Sequence, residues 1–221
     1  MNFLGHAIVA SRERTEPAFV LGAMLPDLVS MAGVRLATVS RADVAAGVAL
    51  HHATDAVFHA APTFVSIVVE AGRWLAEGGM RRGPARGVAH IGTELLLDGV
   101  EVRCHGVPAA YDQALLEAPK IEPHCAFRGR ERPAEAEILS RTCARITDLE
   151  LAAGYRDPDF VAERLVHILS RRPRLALEPA EIRLLGDWAE EFDARIETAS
   201  AQLWNEVWSG LDPAAWYPRA R

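Results

Sequence analysis

Apolar residues recur along most of this chain at the three- and four-residue steps of a helix surface, and strict alternation is nearly absent. The pattern predicts short helices over about 2–11 and 18–32, then longer ones over about 40–60 and 63–78. GGMRRGP (78–84) breaks the run, and a helix resumes over about 85–103. Residues 104–133, punctuated by Gly106, Pro108, Pro119, Pro123 and Gly129, form the least regular stretch and read as an excursion or lid. Helical spacing returns over about 133–152 and 157–171, ending at RRPRL because a proline restricts the residue before it. A last long helix, about 178–209, opens at Glu178-Pro179, proline being suited to a first helical turn. The expectation is an all-α multi-helix bundle, a single domain over 1–221.

Two of these helices carry polar residues where apolar ones would serve a core. HHATDAVFHAAP (51–62) places His51, Asp55 and His59 at four-residue steps, with Val48, Leu50, Val57 and Phe58 around them. Side chains at i and i+4 lie one turn apart on one side of a helix. HIGTELLLD (90–98) repeats the device with His90, Glu94 and Asp98. Buried, such stripes would leave several charges without compensation unless a cation binds them. Two facing helices with i, i+4 ligands can enclose metal in a bundle. One ion cannot take a whole stripe, because residues eight apart are separated by roughly 12 Å along the axis. Two ions roughly 3.5–4 Å apart could, with Asp55 as the bridging carboxylate. The site is therefore expected between the 40–60 and 85–103 helices and the N-terminal segment.

Two upstream residues join the candidates. Asp27 sits in GAMLPDLV, where a lone carboxylate has no apolar use, although it could also cap a helix. His6 lies inside the apolar first helix, where a histidine can equally be a hydrogen-bonded core residue. Imidazole with carboxylate suits Zn, Mn or Fe without choosing among them. Metal so held lowers the pKa of bound water and stabilises charge on a phosphoryl oxygen, which is hydrolase chemistry, with Asp55 and Asp27 as the carboxylates at the reacting centre. His52 points about 100° away from its stripe and reads as surface or supporting. A non-catalytic alternative is a helical module braced by one structural metal or by a His–carboxylate network.

Composition narrows the rest. The 221 residues are 50% hydrophobic and carry a formal charge of −6, which disfavours general nucleic-acid binding. Nearly all the positive charge is arginine; Lys120 is the lone lysine. Cys104, Cys125 and Cys143 form no framework and fit a reducing compartment. Neither Cys104-His105 nor His124-Cys125 has the spacing of a structural zinc site. No cysteine falls near the stripes, and no glycine-rich phosphate loop occurs. MNFLGHAIVA lacks basic residues ahead of its apolar run, so it reads poorly as a signal peptide. Pro26 and Asp27 interrupt the 19–34 run, which rules out a membrane span there. The expected location is cytoplasmic.

The motifs also carry a resemblance. MNFLGHAIVA, LGAMLPDLV, GVALHHATD (with Gly47, His51 and Asp55), ELLLD and YRDPDFVAERLVHILSRRPRL (155–175) run nearly the whole length. Together they resemble the acyl-carrier-protein phosphodiesterase family, helical metal hydrolases related to the HD-domain phosphohydrolases. The resemblance implies His6, Asp27, His51, Asp55 and Asp98 as site residues. It makes Tyr155, Arg156, Arg171, Arg172 and Arg174 structural or partner-contacting. It implies holo acyl carrier protein as substrate, with release of 4′-phosphopantetheine. Departures are His59 where that family has Asp, His90 where it has no histidine, and Gly99 after Asp98 where it has histidine. HxxxD, then histidine, then HxxxE on a later helix is similar to the ligand pattern of zinc-dependent phospholipase C and related zinc nucleases. That second likeness covers the ligands alone.

Overall fold

A computed structural model describes residues 1–128 and 137–216. In chain order the elements are α1 (Phe3–Glu13), α2 (Pro17–Met31), strand β1 (Arg35–Val39), α3 (Ala42–Ala60), α4 (Pro62–Glu77), α5 (Arg82–Gly87), a π-turn (Val88–Gly92) and α6 (Thr93–His105). There follow α7 (Ala109–Leu116), α8 (Ala118–Ile121), β2 (Cys125–Arg128), α9 (Ile138–Asp148), α10 (Leu151–Gly154), α11 (Pro158–Ser170) and α12 (Pro179–Gly210). The fold is all-α, as the periodicity predicts. Among the described residues no helix is long and apolar enough to cross a membrane.

Three features differ from the expectation. The 104–133 stretch is not irregular over its described part: α7, α8 and β2 occupy it, while 129–133 lie outside the described residues, as does the start of the helix expected from 133. The 85–103 helix is interrupted by the π-turn. And β1 pairs antiparallel with β2, Arg35 opposite Arg128 and Val39 opposite Cys125, with an irregularity between Leu36 and Thr38. Partners this far apart in the chain leave no local signal.

The chain packs as two compact units. The first comprises Met1–Ala56, Val107–Leu151 and Leu211–Arg221. Its central element is α2, which Pro17 opens and whose residues Ala18–Leu25, Leu28 and Val29 are all buried. Against it lie α1, α7, α9 and β1. The crossing with α3 is unusually close and needs glycine on both sides. A Cβ at Gly22 would sit 2.4 Å from the Val44 carbonyl oxygen, and one at Gly47 would sit 2.2 Å from that of Phe19. No other residue fits between these backbones.

The second unit comprises Val57–Gly106 and Ala152–Gly210. Its spine is α12, whose buried Leu185, Trp188, Ala189, Phe192 and Ile196 follow helical spacing and meet α4, α6 and α11. Arg81 and Glu181 clamp α12: the carboxylate accepts from the Arg81 backbone N–H at 2.9 Å and from its guanidinium at 2.7 and 3.0 Å. The YRDPDF stretch explains itself here. Tyr155 is buried, Asp157 caps α11 by accepting from the Asp159 N–H at 3.0 Å, and Pro158 fills the first turn.

Candidate metal centres

The histidine of α3 that follows the glycine crossing is positioned by it. Gly47 lies one turn before His51, and Gly22 lies next to Ala23. With the helices this close, His51 Nδ1 reaches the Ala23 carbonyl oxygen at 2.9 Å. A carbonyl can only accept, so Nδ1 carries the hydrogen and Nε2 is left with its lone pair. A backbone carbonyl fixing one ring nitrogen while the other faces a cation is the usual support of a metal-bound histidine. Burial, reinforced by the neighbouring His6, lowers the His51 pKa to about 3, so the ring is neutral at ordinary pH.

Around that nitrogen the first unit gathers a ligand set. The His6 ring stacks on His51 with centroids 3.8 Å apart. His6 Nε2 is 3.9 Å from Asp27 Oδ2 and 3.2 Å from Asp55 Oδ1, and His51 Nε2 is 3.6 Å from Asp55 Oδ2. One ligand atom each of His6, Asp27 and His51 fall within 4.8 Å of one another. Tetrahedral ligands at bonds of about 2.1 Å would lie roughly 3.4 Å apart, so a small inward movement closes the set on an ion. Asp55 borders the group and also accepts from the Met1 nitrogen at 2.9 Å. Burial works against ionising Asp55, but the His6 hydrogen bond and charge prevail and hold its carboxyl well below the usual range. Both imidazoles are buried, whereas the Asp27 and Asp55 side chains keep 30% and 34% exposure, so the group is reached from its carboxylate side.

The second unit builds its own set where the π-turn enters α6. His90 lies inside the π-turn and Glu94 just beyond it. Such turns, with one residue more than an α-turn, recur at functional sites. Glu94 Oε1 is 3.1 Å from His59 Nε2 and 3.3 Å from His90 Nε2. The two rings stack at 5.0 Å with planes 10° apart, and Phe64 packs edge-on against both. One ligand atom each of His59, His90 and Glu94 lie within 4.8 Å of one another. Burial opposes the Glu94 charge, yet hydrogen bonds from both histidines keep its pKa well below normal. His90 is 47% exposed, so this group faces solvent more openly than the first.

The α3 stripe thus does not serve one group: His51 joins His6 and Asp27, with Asp55 beside them, and His59 joins His90 and Glu94. Asp98 is buried on α6, outside both groups. Two contributors carry no sequence signal as ligands, the Ala23 carbonyl and the π-turn backbone. A glycine one turn ahead of a histidine is the trace that could have indicated the first. Burial raises the Cys143 thiol to about 12 and Cys125 to about 11, and Cys104 is exposed and outside any disulfide. The chain matches no known family model, no curated protein and no solved structure.

Proposed function

We propose that this protein is a metal-dependent phosphodiester hydrolase that binds a divalent cation, Zn, Mn or Fe, at each of the two His–His–carboxylate groups. The observation that carries the reading is His51: its Nδ1–H is committed to the Ala23 carbonyl, and its other nitrogen belongs to a group of three ligand atoms within 4.8 Å of one another. Three protein ligands would leave a coordination position for water, as in catalytic zinc, with Asp55 against both histidines to orient it. Bound metal would lower the pKa of that water and draw charge from a phosphoryl oxygen. In such a hydrolysis the water oxygen would form the new P–O bond while the ester P–O bond breaks and the alcohol leaves with a proton.

The sequence resemblance to acyl-carrier-protein phosphodiesterases extends the proposal to holo acyl carrier protein, with 4′-phosphopantetheine released. Arg171, Arg172 and Arg174, all exposed in the second unit, would steer such an acidic partner. The test is metal analysis of the purified protein with hydrolysis of bis(4-nitrophenyl) phosphate and of holo carrier protein. Bound divalent metal, with turnover that His51→Ala and Asp27→Ala abolish, supports the reading. A protein that takes up metal yet cleaves neither ester overturns it. It would favour the other reading, structural metal alone, for which the near-complete burial of His6 and His51 speaks.

A further inference from the structure

In the first unit a cavity of about 400 Å³ is walled by strand β1 together with Pro26 and Ser30 of α2 and Ala45, Val48 and His52 of α3. Pro26 adjoins Asp27 in the chain, and Ser30 lies one turn beyond it. Val48 precedes His51 by one turn, and His52 follows it with its ring edge-on to His51 at 5.2 Å. The lining therefore adjoins Asp27 and His51 in the chain without including either. The volume suits a small-molecule site, with mainly apolar walls and a few converging polar groups. The irregularity of β1 at Leu36–Thr38 lies over it, and bulges of this kind re-aim strand side chains beside active sites.

A separate observation specifies charge. Arg35, on the cavity wall, is directly opposite Arg128 in the strand pair. Like charges across a strand pair are destabilising, and neither arginine has a carboxylate partner among the described residues. An anion between the two guanidiniums would relieve that repulsion and be held by their fork geometry.

We infer that this cavity binds a compact aromatic or heteroaromatic group carrying an anionic substituent, the ring among Val48, Ala45 and His52 and the anion toward Arg35 and Arg128. This binding site goes beyond the hydrolase reading and stands independently of it.

The experiment measures binding of 1-naphthyl phosphate and of 1-naphthol to the purified protein by calorimetry. Ala45→Trp, which fills the cavity from the exposed side of α3, should weaken both at least tenfold. Arg35→Glu should weaken the phosphate ester at least tenfold and leave 1-naphthol unchanged; as a surface charge reversal it also guards against a misfolded Ala45→Trp protein. Val69→Trp, on exposed α4, should alter neither. Unchanged naphthyl phosphate binding in Arg35→Glu and Ala45→Trp overturns the inference. So does binding lost in His51→Ala but in neither cavity variant, because the metal group alone would then hold the phosphate. A protein that hydrolyses no diester but loses naphthyl phosphate in both cavity variants refutes the hydrolase reading and upholds the cavity as a binding site.

Discussion

The two candidate metal groups offer the same chemistry, two imidazoles and one carboxylate, in opposite settings. In the first unit the histidines are buried, stacked at 3.8 Å, and held by a backbone carbonyl that a glycine crossing brings within reach. In the second, the histidines stand half-open to solvent and both meet a single carboxylate oxygen beside a π-turn. The first gets its geometry from helix-to-helix contact, the second from a local backbone irregularity. A site built by packing should hold its ion tightly and fail when the packing fails. A site built by local backbone should exchange its ion more readily and survive changes elsewhere.

If the proposed function holds, the largest effect comes from His51→Ala, which should abolish metal uptake at the first group and reduce phosphodiester turnover by about a thousandfold or more. Mass-spectrometric metal counts should show that His90→Ala removes the other ion instead. Loss of both ions in either variant would break the contrast between independent centres.

Chelation comes next. A metal at a thousand times its dissociation constant stabilises the folded state by about 4 kcal/mol, so removing it should lower the melting temperature. Added back stepwise, metal should restore that stability mostly with the first equivalent taken up; equal steps would show that burial does not distinguish the two groups.

Gly47→Ala tests the packing origin directly. The added methyl would lie 2.2 Å from a backbone oxygen, costing about 3 kcal/mol in urea unfolding and forcing His51 away from Ala23. Metal at the first group should weaken while the second group keeps its ion.

Glu181→Gln probes the second unit away from its centre, with an expected loss of about 2 kcal/mol. The hydrogen bonds from Arg81, the largest influence, outweigh burial and lower the Glu181 pKa to about 2 from 4.5. The sign follows: with the folded pKa depressed, the contribution is complete above pH about 4.5 and is lost as pH falls toward about 2. The difference in unfolding free energy between wild type and Glu181→Gln should therefore shrink across that interval. A pH-independent difference would mean that the clamp does not depend on charge.

The smallest effect is at Gly72 on α4, where an added Cβ would meet only Ala89 at an ordinary 3.8 Å. Gly72→Ala should stabilise the helix by about 0.5–1 kcal/mol. Set against Gly47→Ala, it separates a glycine required by backbone contact from one that is not.

Much of this architecture could be read from residue order. Helices expected over 40–60, 63–78, 157–171 and 178–209 are found at 42–60, 62–77, 158–170 and 179–210. Local periodicity carries that information because each helix buries one stripe. The i, i+4 spacing also put the right residue types forward, but it reports a shared helix face and says nothing of which neighbour meets each position. Whether His59 pairs with His51 or with His90 depends on helix crossings set by glycines and by Trp188 against Gly92, contacts distant in sequence. The strand pair was hidden for a related reason: RLATV and CAFR alternate weakly in burial and find each other only across the fold.

The π-turn has one more consequence. It carries a residue beyond the ordinary complement, so the helix leaves Gly92 about 100° out of phase with the way it entered at Val88. Deleting one residue there would restore a regular spiral and swing Glu94, Asp98 and Gly99 together off their present bearings. The most vulnerable spot of the second centre is thus a matter of chain length, which a survey by substitution alone would pass over.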